Sequence, residues 1–598
     1  MTRPSAKLRI LGTTDLHMQV FPYDYYSDRP APGLGLRQLA RLIDEIRRDD
    51  EATVLFDNGD FLQGNPLSEA IISNKGTTAP NPMITAMNQL GYDAGCLGNH
   101  EFNYGLDQLQ TVIEQANFPM TCANISGPDG AFAPRHLMIV RDLVCSDQSV
   151  QQIKIGVFGV APPQVALWDQ DILSDTVHSA DIVETARHCV SDLRAQGADI
   201  IVALCHSGIA DLDHIHGQEN AIVPVAALDG VDVVLAGHTH VRFPDPAFPA
   251  RGPIDPQTGH IHETPVVQAG FHGAYLGQID VSLIWDGAGW TVDQTNVALR
   301  KTPSDMADVP SQTCAAIDKL ATEHHQKTLE YIRQPVVATS SPVTSHFTMV
   351  AADPALQLLA DAQRHELVQC CPCKDWDQSP LISAVSPFLA GGRAGPHQFI
   401  NIQNGQLAFR DVSAIYPFSN TIYAIELSGA ALRKWLDRAC HVFNVIKPKQ
   451  ASQDLLSPDH ASYCFDVFYG LDYRIDLSRE HDRVTQLCYQ GREVANDEKI
   501  VVVTNSYRAH GGGGHLLGLP HKIVCRSEIP VRDALIKRLN SGETITGLNT
   551  PPWRFAALGG ATARFLTAKD ADPGAEPTRD LRRTGRMVDG FAEFEIVL

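Results

Sequence analysis

The chain has 598 residues, enough for two to four domains at roughly 150 residues each. A composition of 44 % hydrophobic and 20 % charged residues excludes a disordered chain. A formal charge of −21 argues against polymeric nucleic acid or an anionic membrane surface as a partner; a small anionic ligand stays open, because a bound metal dominates its local field.

Along the chain, the opening Met1–Arg9 (MTRPSAKLR) passes straight into strand-like sequence without the apolar core of a secretion leader. No run of about 18 apolar residues predicts a membrane helix. As written, the chain is expected in the cytoplasm; a periplasmic location is the alternative if a leader was removed or the start lies elsewhere. Thirteen cysteines, mostly single in apolar runs (Cys96, Cys189, Cys205), read as buried thiols of a reducing compartment. From Lys7 to about Trp285, short apolar runs (LRILGTT, ATVLFD, IKIGVFGV, ADIIVALCH, VDVVLAGH) alternate with helical patterns (LGLRQLARLIDEIRR, MITAMNQLG). That alternation predicts a layered α/β domain over 1–303. Residues 304–335 read as a connecting helix and hinge, with Pro335 and Pro342 as its stops. A second mixed domain follows over 336–598, with helices at LQLLADAQRHELV and GAALRKWLDRAC and strands at DYRIDL and KIVVVTNS. The group Cys370, Cys371 and Cys373 has no second Cys-x-x-Cys beside it and reads as loop thiols rather than a metal or redox element. The tail Ala571–Arg586 reads as surface turns before a final strand, FAEFEIVL.

The chemistry lies at the ends of the predicted strands. Asp15 and His17 (TTDLH) form an Asp-x-His pair that an extended segment would place on one face. Asp60 (VLFDNGD), Asn99 and His100 (GNHEF), His206 (ALCH), and His238 and His240 (GHTH) each follow another strand. Singly, each fits a structural role. Together, five segments bring carboxylate, imidazole and amide to strand ends, where open α/β sheets bind ligands. Mixed nitrogen and oxygen donors suit Zn, Mn, Fe or Co better than Ca. Two such metals about 3.5–4 Å apart serve phosphoester hydrolysis.

In this order, Asp-x-His, Gly-Asp, Gly-Asn-His-Glu, His and Gly-His-x-His resemble the calcineurin-like metallophosphoesterases. The resemblance implies a four-layer α/β/β/α domain holding two divalent cations (Mn, Zn, Co or Fe). One would sit on Asp15, His17, Asp60 and His240, the other on Asp60, Asn99, His206 and His238, with Asp60 bridging. His100 would be the general acid, with Asn99 also stabilising charge on the phosphoryl oxygens.

Nearly half the chain remains beyond that domain. Phe418 in DVSAIYPFSNT and Tyr507 in NSYRAHGGGG set aromatics in turn-prone contexts suited to stacking a planar base. Both segments resemble the C-terminal α+β substrate domain of the 5′-nucleotidase family. By that resemblance Phe418 and Tyr507 clamp the base, Arg393 (GGRAG) faces phosphate or ribose, and Asn420 contacts the base. Rotation of the second domain would carry the substrate to the metals. The finer match is to the bifunctional 2′,3′-cyclic-nucleotide 2′-phosphodiesterase/3′-nucleotidases, carried by GTTDLHMQVFPYDYYSD, GNHEFNYGL and SYRAHGG. The 5′-nucleotidases carry Asp where this chain has Asn103, Gln where it has His240, and an Asp in the loop around Gly513. Asn103 would therefore orient His100 without adding charge, and base selectivity is expected to be weak.

The function expected is opening of 2′,3′-cyclic nucleotides to 3′-nucleotides, then removal of the 3′-phosphate, by a monomer acting on small nucleotides. A 5′-nucleotidase or nucleotide-sugar hydrolase is the alternative within the class, and a non-catalytic nucleotide sensor the alternative outside it. A thiosulfate-ester hydrolase on the same fold is disfavoured, since nothing suggests a carrier-protein groove.

Overall fold

The computed structural model describes residues 3–49, 52–73, 80–173, 176–210, 212–304, 311–339, 342–351, 353–371, 379–402, 405–457, 461–541, 552–573 and 581–598. The chain divides into two units, Met1–Tyr331 and Ile332–Leu598.

In the first unit the apolar runs become two sheets. One has the strand order Trp290–Lys301, Tyr275–Trp285, Ser5–Thr13, Ala52–Asp57, Ala94–Cys96, Met120–Thr121. The other is built around Thr264–Ala269, Val233–Ala236, Ile200–Cys205, Val150–Val160 and His136–Val144. Residue alternation along these strands explains the layers. Ile153, Ile155, Val157, Ile200, Val202 and Leu204 pack with Leu8, Ile10, Val54 and Phe56 in a core between the sheets. Their neighbours Phe158, Val160, Ile201, Ala203 and Cys205 turn the other way, onto Ile182, Val190 and Leu193 of the helix Ile182–Ala195. The helix Leu36–Ile46 buries Leu36, Leu39, Ile43 and Ile46 on one face and packs with Pro82–Leu90. The result is the α/β/β/α arrangement. Ser5–Thr13, Ala52–Asp57 and Ala94–Cys96 run parallel in one sheet, as do Ile200–Cys205 and Val233–Ala236 in the other, so within each sheet the functional segments leave from one end.

The helix Gln312–Ile332 docks on the first unit. Arg37 forks onto Asp318 through two 2.7 Å hydrogen bonds, and Tyr25 Oη lies 2.8 Å from His325 Nδ1. Residues 305–310 of the expected connector lie outside the described residues.

The second unit centres on a five-stranded sheet in the order Val467–Tyr469, Leu381–Val385, Lys499–Asn505, Thr421–Ser428, His521–Pro530. Leu381–Val385 runs parallel to Lys499–Asn505, and Thr421–Ser428 runs antiparallel to it, pairing Ile422 with Asn505. The segments after Val385, after Asn505 and before Thr421 therefore leave one end of the sheet. Those segments carry Arg393, Tyr507 and Phe418.

Two expectations change here. The tail is not all turns: Leu581–Val588 is a strand paired with Phe591–Val597, while 574–580 lie outside the described residues. Its charge hid it, because Arg582 and Arg586 pair across the hairpin with Glu595 (2.5 Å) and Glu593 (3.3 Å). The cysteine group is not simply loop thiols either. Cys371, which caps the helix Pro354–Cys370, is joined in a disulfide to Cys525, with Cys370 Sγ 3.6 Å from Cys371 Sγ; Cys373 lies outside the described residues. Cys96, Cys189 and Cys205 are buried free thiols. Among the described residues no helix is long and apolar enough to cross a membrane.

Candidate metal centre

Five strand ends build the centre. Asp15 and His17 follow Ser5–Thr13, Asp60 follows Ala52–Asp57, Asn99 and His100 follow Ala94–Cys96, His206 follows Ile200–Cys205, and His238 and His240 follow Val233–Ala236. The pair Asp15/His17 is not extended, as the sequence suggested. Asp15, His17 and Met18 adopt φ of 52°, 47° and 57°, and Asp60, His238 and His240 are also left-handed at 59°, 71° and 58°. Such backbone costs of order 1–3 kcal/mol per residue unless its surroundings enforce it. Here they do. Asp15 N donates to Gly59 O (2.9 Å), His17 N to Asp60 O (2.8 Å) and Met18 N to Phe61 O (2.9 Å), which prolongs the strand pairing into the site. Gly98 has to be glycine, because a Cβ there would overlap Asp60, reaching within 2.7 Å of its nitrogen.

The donor atoms converge in sets. Asp15, His17 and His240 form one cluster, Asp60, His206 and His238 a second, and His17, Asp60 and His100 a third, each with ligand atoms within 4.8 Å of one another. Backbone carbonyls fix the tautomers. His17 Nδ1 faces Gln63 O at 2.7 Å and His206 Nδ1 faces Asn58 O at 2.6 Å, so both rings donate there and turn Nε2 inward. His17 Nε2 then meets His240 Nε2 at 2.8 Å. His206 Nε2, fully buried, lies 3.0 Å from Asp60 Oδ2 yet makes no hydrogen bond. His238 hands its Nε2 proton to Glu219 Oε1 (2.7 Å) and turns Nδ1 to Asn99 Oδ1 (2.9 Å). Imidazole nitrogens and carboxylate oxygens that converge this closely are the donors a borderline divalent cation takes, so this set fits divalent metal.

The charges agree. Burial disfavours ionisation of Asp60, but His206 and His100 outweigh it and hold the carboxyl well below its usual range. Burial, then His240, pushes His17 down to about 3, leaving it neutral as a ligand must be. Burial opposes charge on His206, yet Asp60 and Asp15 push its ring up to about 10, which marks the pocket as strongly negative.

Several contributors carried no signal in the sequence beyond their presence. Glu101, next to His100 and fully buried, accepts from Asp60 N (2.7 Å), Phe61 N (2.8 Å), Leu62 N (3.0 Å) and Gly98 N (2.7 Å), holding the two loops together. Glu219 orients His238. Trp168 stacks on His238 with ring centroids 5.9 Å apart, and Phe271 stacks on His240 at 4.9 Å. His272, whose N–H donates to Asp15 O (2.8 Å), sets its ring against His17 and is held neutral by burial and by the His17 and His240 rings.

His100 is half-buried at the rim. Its N–H donates to Asp60 Oδ1 (2.8 Å), and Nδ1 lies 2.5 Å from Asn103 Oδ1. Behind Asn103 stands Asp169, which accepts from Asn103 Nδ2 through Oδ1 (2.9 Å) and Oδ2 (3.0 Å). Asn103 adds no charge of its own, but it links His100 to the Asp169 carboxyl, and Asp60 Oδ2 lies 3.9 Å from His100 Nε2. Burial pushes Asp169 up to about 7, against the pull of His100 and the Asn103 amide.

In the second unit, Phe418 lies in the loop after the helix Phe409–Ile415, half-buried, edge-on to Phe388 (5.1 Å) and Tyr416 (6.4 Å). Asn420 Nδ2 donates to Tyr416 Oη (3.1 Å), and Arg393 is exposed in the turn Gly392–Ala394. Tyr507 rests on the glycine loop, where a Cβ on Gly512 would stand 2.5 Å from its ring and one on Gly513 would overlap Arg508. Arg508 is buried, bonded to Gly512 O (2.6 Å) and paired with Asp466 (2.9 Å). The space a side chain at 513 would need is filled from below by that guanidinium.

Comparison with known proteins agrees with this architecture. Residues 8–242 match the calcineurin-like phosphoesterase family and residues 336–518 the 5′-nucleotidase C-terminal domain. The chain is 34 % identical to the trifunctional nucleotide phosphoesterase protein YfkN of Bacillus subtilis over 99 % of its own length, and spans 42 % of that protein. It is 34 % identical to a 2′,3′-cyclic-nucleotide 2′-phosphodiesterase/3′-nucleotidase of Salmonella typhimurium, covering 99 % of this chain and 96 % of that one. A crystal structure of a putative 5′-nucleotidase from Staphylococcus aureus shares the fold at TM-score 0.72 and 22 % identity, over 92 % of this chain and 100 % of that one. The chain belongs to the 5′-nucleotidase family of calcineurin-like metallophosphoesterases, a family of metal-dependent phosphoric-ester hydrolases.

Proposed function

We propose that the protein opens 2′,3′-cyclic nucleotides to 3′-nucleotides and then removes the 3′-phosphate, using two divalent cations. The observation that carries the reading is the donor set: ring nitrogens of His17, His206, His238 and His240 clustered with the carboxylates of Asp15 and Asp60, with Asn99 beside His238. Two ions bound there supply Lewis-acid activation of water and neutralise charge developing on the phosphoryl oxygens. Asp15, His17 and His240 would hold one, Asn99, His206 and His238 the other, and Asp60 both. Asp60 also fixes His100 by accepting from the His100 backbone N–H, and the ring, with Nε2 3.9 Å from Asp60 Oδ2, would protonate the departing oxygen. The choice of the cyclic and 3′-substrates rests on similarity to proteins named for those reactions.

Phe418, Tyr507, Asn420 and Arg393 form the nucleoside-recognition face in this reading. With Gly513 lacking a side chain and Arg508 buried beneath it, stacking is the main base contact, which predicts weak base selectivity. The test is phosphate release from 2′,3′-cyclic AMP, 3′-AMP and 5′-AMP by protein reconstituted with Mn²⁺ or Co²⁺, with His100→Ala as control. Turnover of the first two with little of the third is expected. Preference for 5′-AMP would reassign the protein as a 5′-nucleotidase, and silence on all three would leave a nucleotide-binding role.

A further inference from the structure

We propose that Asp169 is a positioning residue for His100, acting through the side chain of Asn103; this rests on the reading of His100 as general acid. Both oxygens of Asp169 lie within 3.0 Å of Asn103 Nδ2, a carboxylate only accepts, and so the amide turns its nitrogen toward Asp169 and its oxygen toward His100. The reverse orientation would set the amide oxygen against two carboxylate oxygens. Asn103 Oδ1 in turn only accepts, so the 2.5 Å contact requires the proton on His100 Nδ1 and leaves Nε2 as the atom that carries the transferable proton.

The segment holding Asp169 is anchored for that task. Asp169 stands between two one-turn helices, Val165–Trp168 and Gln170–Leu173. Its N–H donates to Val165 O (3.1 Å), and its carbonyl accepts from Ile172 N (2.9 Å) and Leu173 N (2.8 Å). The preceding residue, Trp168, stacks on His238. One turn therefore touches a ligand of the metal cluster on one side and reaches the acid on the other.

The experiment compares wild type, Asp169→Asn, Asn103→Asp and the double variant on 3′-AMP and on a 4-nitrophenyl phosphate ester, whose leaving group departs without protonation. For Asp169→Asn, kcat on 3′-AMP should fall about tenfold, part of the range for general acid catalysis, with KM and the 4-nitrophenyl rate little changed. Asn103→Asp should lose more, because it presses two carboxylates together. The double variant should recover activity over Asn103→Asp alone. Equal losses on both esters, no loss in Asp169→Asn, or no recovery in the double variant would overturn the proposal. The ¹⁵N shifts of the His100 ring decide it independently of turnover: a protonated Nδ1 in wild type that becomes a tautomer mixture in Asp169→Asn supports it, and an unchanged tautomer overturns it. A wild type inactive on every ester would refute the proposed function while leaving that ring measurement to judge the positioning role.

Discussion

The two halves of this molecule carry their function differently. The first gathers donors from strand ends, buries them, and bends the backbone of Asp15, His17, Asp60, His238 and His240 into left-handed conformations that neighbouring strands enforce. The second sets Arg393, Phe418 and Tyr507 on segments leaving one end of a sheet, with side chains half-buried or exposed. A charge-bearing centre has to be pre-organised because its donors repel one another without the ion; the stacking face proposed for the second unit would need only flat surfaces, which loops can supply.

Breaking the first half should cost most. Asp60→Asn removes the carboxylate proposed to hold both ions, and activity should fall on the order of 10³-fold with loss of bound metal, read by phosphate release and elemental analysis. In the second half the largest effect should be on stability. Arg508→Ala strands the Asp466 carboxylate, which burial pushes up but Arg508 holds below its usual range. Thermal unfolding should register a loss of about 3–5 kcal/mol, the cost of a buried unpaired charge, while metal content stays intact. Because that carboxyl has a depressed pKa when folded, its contribution to wild-type stability is present above the usual carboxylate pKa and lost as pH falls through the folded value; Arg508→Ala should flatten this acid limb. Glu219→Gln, which unhinges His238 without removing it, should weaken metal affinity about 10- to 100-fold in titrations with Mn²⁺. Tyr507→Ala should be mildest, raising KM by the worth of one stacked base, about 1–3 kcal/mol, and equally for adenine and uracil nucleotides. A base-dependent change there would mean that specificity lies in contacts other than stacking.

The contrast also marks what the sequence made legible. Metal donors were readable because five apolar runs each end in Asp, Asn or His; any one of them fits a structural role, but the five together do not. Periodicity likewise placed the helices Leu36–Ile46, Gly429–Ala439 and Pro354–Cys370. Glu219, Asp169 and His272 were invisible because they sit in loops without period, and their worth appears only when another segment arrives beside them. Glu101 was in plain view within GNHEF, but four backbone donors from two loops cannot be read from its neighbours. The strand Leu581–Val588 was missed because arginines that look like a solvated turn are paired across a hairpin. Asp15 and His17 were assigned an extended backbone by alternation, whereas the loop needed a tight left-handed turn to bring both donors to one point.

That left-handed backbone has a thermodynamic corollary. Neighbouring strands hold the twisted residues in place, and ions that bind only the folded chain return their binding energy as stability. Stripping the metal should therefore lower the melting temperature steeply while leaving the fold standing, and the melting temperature at fixed protein should climb with the logarithm of free Mn²⁺ once the sites fill. Heat resistance in this protein would then report on the metal supply of its surroundings.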